Sequence, residues 1–208
     1  MADRAGFRVA LDDALERYDR ETAITLAHAA LDDGTLELPQ LYDVLAQTLV
    51  DVGAAWQTGT AEVWQEHLVT GIVRTLVESC ALRVAAAAPD APGASIVLAA
   101  PDDEYHDLGL RMLTDRFTLA GWRAHFLGAN VPVAQVVTSV RELGADAVAL
   151  SASTHFHRVR LRTYVTTVTK ELPDLRVWVG GPAFVHGNGG WPEELMLDPR
   201  SIPPGGER

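Results

Sequence analysis

Cysteine is almost absent from this 208-residue chain, in which Cys80 is the only one. A single thiol excludes an intramolecular disulfide framework and a zinc site built from cysteines, and it is typical of proteins from a reducing compartment. Cys80 lies within an apolar pattern of helical spacing, where cysteine usually behaves as a small buried hydrophobe. We therefore predict that Cys80 packs in a core and takes no part in chemistry.

Basic residues are also few, with 17 Lys and Arg against 28 Asp and Glu and a formal charge of −11. Because binding along nucleic acid needs clustered Lys and Arg, we expect no direct nucleic-acid binding. No apolar run approaches the ~20 residues that cross a bilayer, and the first four residues, Met1-Ala2-Asp3-Arg4, do not resemble a secretory signal. The sequence thus predicts a soluble cytoplasmic protein without a membrane partner.

Two common enzyme motifs are missing as well. The chain has neither a phosphate-cradling P-loop nor the strained turn that carries the nucleophile of serine hydrolases, and no internal repeat of solenoid period is apparent. With 48% hydrophobic and 22% charged residues it can bury one good core or two small ones. We expect two compact units.

The first half, residues 5–88, is predicted to form a four-helix bundle. Apolar residues recur there at helical spacing in four segments separated by turn signals. The third segment begins at Pro39, which suits a first helical position. The fourth is predicted to be capped by Thr60 and to run into Ala88. His28 falls on the apolar side of the second helix, where a hydrogen-bonded core histidine is favoured over a metal ligand.

A linker rich in Pro and Ala, residues 88–93, precedes strands that alternate with helices of about a dozen residues. This alternation predicts an α/β domain with a parallel sheet and right-handed crossovers, Rossmann-like (flavodoxin-like), over residues 94–200. The closing side of the domain has no clear prediction, since its last strand and helix shrink to something like residues 194–198. The predicted strands are 95–100, 122–127, 147–151 and 176–179, and the predicted helices are 108–120, 132–143 and 159–172.

The loop after the first predicted strand carries an acid–x–His–x–x–Gly arrangement formed by Glu104, His106 and Gly109. Ligands bind at the carboxyl ends of parallel strands, so this loop lies at the rim of a binding crevice. A neutral imidazole suits a borderline metal, and a ligating His normally donates its other ring N–H to a carboxylate. In these residues the chain resembles the cobalamin-binding domain family, whose motif is usually written with Asp, His and Gly. The resemblance implies that His106 is the lower axial ligand of cobalt, with Glu104 in place of the usual Asp.

Two later turns extend this resemblance. Ser151 and Ser153 follow the third strand, where the family tends to carry Ser-x-Leu, and Gly180 and Gly181 follow the fourth, where the family has a Gly-Gly turn. The resemblance implies that these residues bind the cofactor and that the two glycines leave room for its nucleotide tail. In the absence of His106, both would be ordinary strand-to-helix turns.

Two further histidines follow the third strand. His155 and His157 stand beside Arg158, Arg160 and Arg162. This run of polar side chains is predicted to form an exposed face, so neither histidine is assigned to the candidate site.

A second motif lies in the helical half, where Trp56 is followed after nine residues by Glu66-His67, with Val63 between them. In this spacing the chain resembles the light-sensing part of the cobalamin-dependent photoreceptor regulators of the MerR type. The resemblance implies that the bundle covers the upper face of adenosylcobalamin, whose apolar ring and ribose hydroxyls suit an aromatic plane, a carboxylate and an imidazole. The alternative is that Trp56 anchors the core and Glu66-His67 is an exposed helix pair.

One position departs from those regulators. They carry, directly after the motif Trp, a His that can take the upper cobalt position once light has expelled the adenosyl group, and here that position is Gln57. An amide is a far poorer cobalt ligand than an imidazole. We therefore expect an illuminated state that is less tightly locked, unless His67 takes the place of the missing histidine.

The resemblance covers about residues 5–190 and does not include the DNA-reading domain of the regulators. It implies a cobalamin-binding sensor that prefers adenosylcobalamin, responds to light and acts through a protein partner, such as a transcription regulator, or through self-association. Two alternatives stay open. One is a corrinoid carrier that passes methyl groups in a methyltransferase system, and the other is an accessory that binds hydroxocobalamin and acts like an anti-repressor, by protein contact alone.

Overall fold

The computed structural model describes residues 3–90, 93–185 and 187–206. The chain divides into two compact units, Met1–Val84 and Ala85–Arg208. Part of the predicted linker, Ala91-Pro92, lies outside the described residues. Within the described ranges, no helix combines the length and the apolar character needed to cross a membrane.

The first unit is helical, as predicted, because each of its four main helices carries one apolar stripe. Helix α2 packs against α1 and α4, and α3 packs against α4. Leu11, Leu41, Leu45 and Leu76 are fully buried. The four helices are α1 (Arg4–Glu16), α2 (Arg20–Asp32), α3 (Leu38–Gln57) and α4 (Val63–Ser79).

The predicted start of the fourth helix is wrong. Helix α4 begins at Val63, because Glu62 and Gln65 form a capping box in which the Glu62 N–H donates to the Gln65 side chain at 2.8 Å. Thr60, the predicted cap, instead donates its hydroxyl to the carbonyl of Ala55 (3.0 Å) near the end of α3. The two reciprocal hydrogen bonds of Glu62 and Gln65 thus set the start of α4, and the Thr60 hydroxyl does not.

The predicted extension of this helix to residue 88 is also wrong. A separate short helix, α5 (Ala81–Ala87), follows Cys80, which is fully buried as predicted. His28 is half-buried, and its Nδ1 accepts from the Arg83 guanidinium (3.1 Å) while its Nε2 lies 2.9 Å from the Ser79 hydroxyl. His28 is therefore a hydrogen-bonded structural histidine.

The second unit is built on a four-stranded parallel sheet of order β2-β1-β3-β4, which confirms the predicted α/β class. Its two faces bury separate apolar clusters, one with α6 and the other with α7 and α8. Helix α8 begins four residues before its predicted start, because the Thr154 hydroxyl caps it. The elements are β1 (Ser95–Ala99), α6 (Leu108–Leu119), β2 (Arg123–Gly128), α7 (Val133–Leu143), β3 (Ala147–Ser151), α8 (His155–Glu171) and β4 (Arg176–Gly180).

Among the residues that the structure describes, a single bridge extends the closing edge of the sheet. Met196 pairs in parallel with Val179, where a flavodoxin-like order would place a fifth strand. The chain then returns along the unit, and the Trp122 indole donates to the Pro203 carbonyl at 2.7 Å. A Cβ at Gly205 would lie 2.3 Å from the carbonyl oxygen of Gly121, so only glycine allows this close approach.

Candidate functional site

The carboxyl ends of β1, β3 and β4 lie at one edge of the second unit. Strands β3 and β4 run in register to Ser151 and Gly180, and β1 lies beside β3 in the same direction. The loops that follow these three strands therefore meet, although they are about 50 and 80 residues apart in the chain. This edge is where open parallel sheets bind ligands.

Glu104 is the centre of this edge. Its side chain is fully buried, and its two carboxylate oxygens accept separate pairs of hydrogen bonds. Oε1 accepts from the His106 ring Nδ1 (2.7 Å) and from the His106 backbone N–H (3.0 Å). Oε2 accepts from the Ser153 backbone N–H (2.7 Å) and from the Ser153 hydroxyl (2.5 Å). Glu104 thus joins the loop after β1 to the loop after β3.

These hydrogen bonds decide the ionisation of Glu104 and the tautomer of His106. Burial by itself raises the pKa of the Glu104 carboxyl, but the bonds donated by His106 and Ser153 outweigh burial and lower the pKa to about 2. An ionised carboxylate only accepts, so Nδ1 of His106 carries the proton. Nε2 is then the ring nitrogen that can bind a metal, and the His106 side chain is 74% exposed.

His157 corrects the sequence prediction of an exposed face. It is 9% exposed, and its Nδ1 lies 2.8 Å from Oε2 of Glu104. Its Nε2 lies 3.1 Å from the Asp103 carbonyl oxygen. The missed signal is the helical spacing of His157 from the buried Leu161 and Tyr164, which places all three on the inner face of α8.

The three arginines beside it agree better with the predicted polar face, since Arg162 is exposed and Arg158 and Arg160 are half-buried. Each also donates to backbone carbonyls of nearby loops. Arg158 binds the carbonyls of Ala183 (3.0 Å) and Gly187 (3.2 Å), and Arg162 binds that of Gly189 (3.0 Å). Arg160 binds the carbonyl of Asp102 at 2.8 Å. Arginines are suited to this because each guanidinium offers several donors in fixed directions. The outer part of α8 therefore holds the loops that flank the site.

The glycines predicted for the site have different surroundings. A Cβ added to Gly109 would meet nothing within 4 Å, so the first turn of α6 has open space at this position, three residues after His106. At Gly181, which has φ +102°, a Cβ would lie 2.5 Å from the Ala152 carbonyl and 2.7 Å from the Ser151 hydroxyl. At Gly180 the nearest atom would be 3.6 Å away. Gly181 thus makes room for the neighbouring protein loop, and Ser151 packs there while Ser153 contacts Glu104.

The remaining predicted residues lie on the helical unit, at the end of α3 and in the first turns of α4. Trp56 is 49% exposed and Val63 is 47% exposed, so Trp56 is no core anchor. His67 is 73% exposed, and its Nδ1 forms a short hydrogen bond with Glu66. Trp64, also exposed, packs its ring on Tyr18 with centroids 5.6 Å apart. The exposed Trp56 and Val63 make apolar surface on the same unit as the polar Glu66–His67 pair.

In the parts of the chain that the structure describes, no group of three His, Cys, Asp or Glu side chains is arranged so that it could hold a metal ion. The loop after β1 instead offers one nitrogen, Nε2 of His106. A metal that is already held in a macrocycle needs only such an axial ligand. The donor set therefore fits a cofactor such as cobalamin, whose cobalt is carried by the corrin ring.

A cavity of about 790 Å³ lies elsewhere in the second unit. Its lining includes Ala94, Asp146 and Arg176, which stand at the amino ends of β1, β3 and β4. It is thus at the edge of the sheet opposite His106, and we do not assign the cofactor to it.

Comparison with known proteins agrees with this geometry. Residues 94–188 and residues 9–80 each match a family model described as a B12 binding domain. The chain is 36% identical over 157 residues to the HTH-type transcriptional repressor CarH of Myxococcus xanthus, and 30% identical over 168 residues to the repressor CarA of the same organism. These alignments cover 74% and 75% of this chain but 51% and 55% of the relatives, so the chain spans about half of their length.

Among solved structures, the monomethylamine corrinoid protein of Methanosarcina barkeri has the same fold, with a TM-score of 0.75 at 17% identity. The similarity covers 90% of both chains, which confirms the predicted order of a helical region followed by a Rossmann-like domain. The two family models together span most of both units. The chain therefore belongs to the B12-binding domain family.

Proposed function

We propose that this protein is a light-responsive sensor that prefers adenosylcobalamin and acts through a protein partner or through self-association. Its B12-binding domains make it a cobalamin-binding protein. The finer role is supported by its similarity to two transcriptional repressors. The observation that carries it is the 49% exposure of Trp56 on a unit that matches a B12 binding domain.

On the α/β unit, Nε2 of His106 would bind the lower face of cobalt. Glu104 holds the proton on Nδ1, which fixes the tautomer and the ring orientation and raises the basicity of Nε2. Ser153 holds the second oxygen of Glu104 and so keeps the carboxylate in place. The open space at Gly109 leaves room for a flat macrocycle beside the start of α6.

On the helical unit, Trp56 and Val63 would supply an apolar surface for the upper ligand. A half-exposed indole in water is unfavourable, and covering it with the adenosyl ring would recover that free energy. Glu66 and His67 would supply hydrogen bonds to ribose hydroxyls. A methyl group offers neither a ring nor hydroxyls, so these residues favour the adenosyl form.

When bound, the cofactor would supply a cobalt–carbon bond that light can break. Loss of the upper ligand would return Trp56 and Val63 to solvent, which changes the free energy of any assembly that depends on that surface. The relatives are transcriptional repressors, so a regulatory protein is the partner class we propose. Binding of the chain itself to nucleic acid is not part of the proposal, given its charge of −11.

The test is reconstitution of the full chain in the dark with adenosyl-, methyl- and hydroxocobalamin, followed by visible spectra before and after green light. Affinity for each form is measured for wild type, Trp56→Ala and the control Trp64→Ala, whose indole is similarly exposed but packs on Tyr18. We expect a preference for adenosylcobalamin that Trp56→Ala lowers about 10-fold or more, since a buried aromatic contact is worth a few kcal/mol. The control should keep the preference.

Equal affinity for the three forms, with Trp56→Ala unchanged, would favour the methyl-carrier alternative. Tight binding of hydroxocobalamin alone would favour the accessory-protein alternative. A light-induced spectral change without any change in the mass of the assembly in solution, or in the binding of a regulatory protein, would contradict the signalling part of the proposal.

A further inference from the structure

One face of α8 contacts the loop that carries His106. Positions 157, 160 and 164 are three and four residues apart, so they share one side of the helix. The His157 Nε2 lies 3.1 Å from the Asp103 carbonyl, and the Arg160 guanidinium donates to the Asp102 carbonyl at 2.8 Å. The Tyr164 hydroxyl accepts from the Asp102 N–H at 2.9 Å. We name these three side chains the α8 contact face.

The loop needs such support because its backbone is strained. Asp103 has φ +65°, in the left-handed region that residues other than glycine rarely adopt. Its N–H donates to the side chain of Asn130 (3.0 Å), which itself has φ +55°. The Asn130 N–H donates to the Glu104 carbonyl at 2.9 Å. A conformation of this kind persists only where its surroundings determine it.

His157 differs from the other two members because it also reaches the Glu104 carboxylate. Its Nδ1 lies 2.8 Å from Oε2 and 2.9 Å from the Thr154 hydroxyl, while Oε1 of the same carboxylate binds His106. The Asp103 carbonyl and the Glu104 carboxylate both only accept, so His157 bonds to both of them when each ring nitrogen carries a proton. The two oxygens belong to one rigid group, so whatever fixes Oε2 also fixes the direction from which Oε1 accepts. The contact is inside the protein, since His157 is 9% exposed and Glu104 is fully buried.

We propose that His157 is a positioning residue that orients the His106 imidazole through Glu104 and through the backbone of Asp103. This inference rests on the proposed function, because His106 is the proposed cobalt ligand. His157 touches neither the metal nor the corrin ring in this proposal. Removal of a group that orients a metal ligand typically lowers metal affinity about 10-fold or more, and we expect the same when the His157 side chain is removed.

The test uses the full chain and compares wild type with His157→Ala, His157→Asn and His155→Ala. Asn keeps a donor near the position of Nδ1, so it should restore the contact with Glu104. His155 is the matched control, because it lies two residues away on the same helix, is exposed, and bonds to Arg158. Three properties are measured: cobalamin affinity, the share of protein-ligated cobalt in the visible spectrum at saturating adenosyl- and hydroxocobalamin, and the ¹⁵N NMR signals of the His106 ring in apoprotein.

We expect His157→Ala to lower affinity about 10-fold, to shift the saturated spectrum toward the form without a histidine ligand, and to weaken the Nδ1–H tautomer of His106 in apoprotein. His157→Asn should recover most of each change, and His155→Ala should resemble wild type. A purely structural role would lower the stability of His157→Ala in urea but leave its saturated spectrum and the His106 tautomer unchanged. That result would overturn the inference while the proposed function stood.

A further variant, His106→Ala, separates the two proposals. If wild type and His106→Ala have the same saturated spectrum, His106 is not the ligand and the lower-face assignment in the proposed function fails. The apoprotein NMR comparison then still decides whether His157 orients the His106 ring. If His157→Ala does not fold, His157→Asn and His157→Gln decide it, because Gln keeps a donor near Nε2 only and should not restore the contact with Glu104.

Discussion

Replacing Glu104 by Gln should destabilise the apoprotein by an amount that depends on pH. Gln keeps the size and shape of the side chain but has a single acceptor oxygen. In wild type, four donors from His106 and Ser153 converge on two carboxylate oxygens. In the variant one pair of donors must face an amide NH₂ group, which cannot accept. Buried donors without an acceptor are the main source of the expected loss.

The magnitude follows from the pKa of Glu104, which falls from an ordinary 4.5 to about 2 in the folded protein. Each pKa unit corresponds to about 1.4 kcal/mol, so the ionised form stabilises the fold by about 3 kcal/mol. Because the folded pKa is the lower one, this contribution is complete above about pH 4.5 and is lost as the pH falls toward 2. Glu104→Gln should therefore be about 2–3 kcal/mol less stable than wild type at pH 7, and the difference should shrink below about pH 4.

The assay is urea unfolding of apoprotein at pH 7, 5 and 3.5. Fluorescence reports on both units, through Trp56 and Trp64 in the first and Trp122 and Trp178 in the second, and circular dichroism follows the helices of both. Glu142→Gln is the control, since that carboxylate is exposed on α7. A loss in Glu104→Gln that is the same at pH 7 and pH 3.5 would show that shape, and not charge, causes it. A loss below about 1 kcal/mol at pH 7 would refute the assignment of Glu104 as a strongly stabilised buried carboxylate.

Three further predictions concern the same two units. Gly181→Ala should destabilise by about 2 kcal/mol or more, because of its positive φ and a clash with the Ala152 carbonyl, whereas Gly109→Ala should leave urea unfolding of apoprotein nearly unchanged. Tyr164→Phe should lower the free energy of unfolding by about 1–3 kcal/mol, since the hydroxyl bonds two backbone groups at 2.8 and 2.9 Å. Burial raises the pKa of Tyr164 to about 12 in the folded protein, so the stability that this residue contributes should be lost between about pH 10 and 12 in wild type and not in the variant. After illumination, protein loaded with adenosylcobalamin should readily exchange its upper cobalt ligand for added imidazole or cyanide, and Gln57→His should slow that exchange. A wild type whose upper ligand resists exchange would contradict this prediction.

Much of the fold follows from local sequence patterns. The strand and helix boundaries of the α/β unit were predicted to within a few residues because hydrophobic periodicity and turn residues act over short distances. The wrong boundaries have local causes as well. Thr154 starts α8 early, and the capping box of Glu62 and Gln65 displaces Thr60 from the start of α4.

The candidate site divides in the same way. Glu104 and His106 are two residues apart in one loop, so their pairing at 2.7 Å could be predicted from the sequence. The contacts of Ser153 and His157 with Glu104 could not be predicted, because they join residues about 50 positions apart. The inward position of His157 had a local signal in its helical spacing from Leu161 and Tyr164. Gly181 likewise makes room for a protein loop that only the parallel packing of β3 and β4 brings beside it.

The sequence by itself therefore determined the class of fold and the family, and it singled out His106 as the imidazole proposed to bind the metal, because each depends on residue type and on spacing within one segment. The tertiary structure alone decided which donors satisfy the buried Glu104 carboxylate and keep it ionised. It also decided that Trp56 is exposed, that the sheet closes with one bridge at Met196, and that α8 supports the His106 loop. Such contacts arise when separate strands and helices pack, and no local pattern in the chain specifies them.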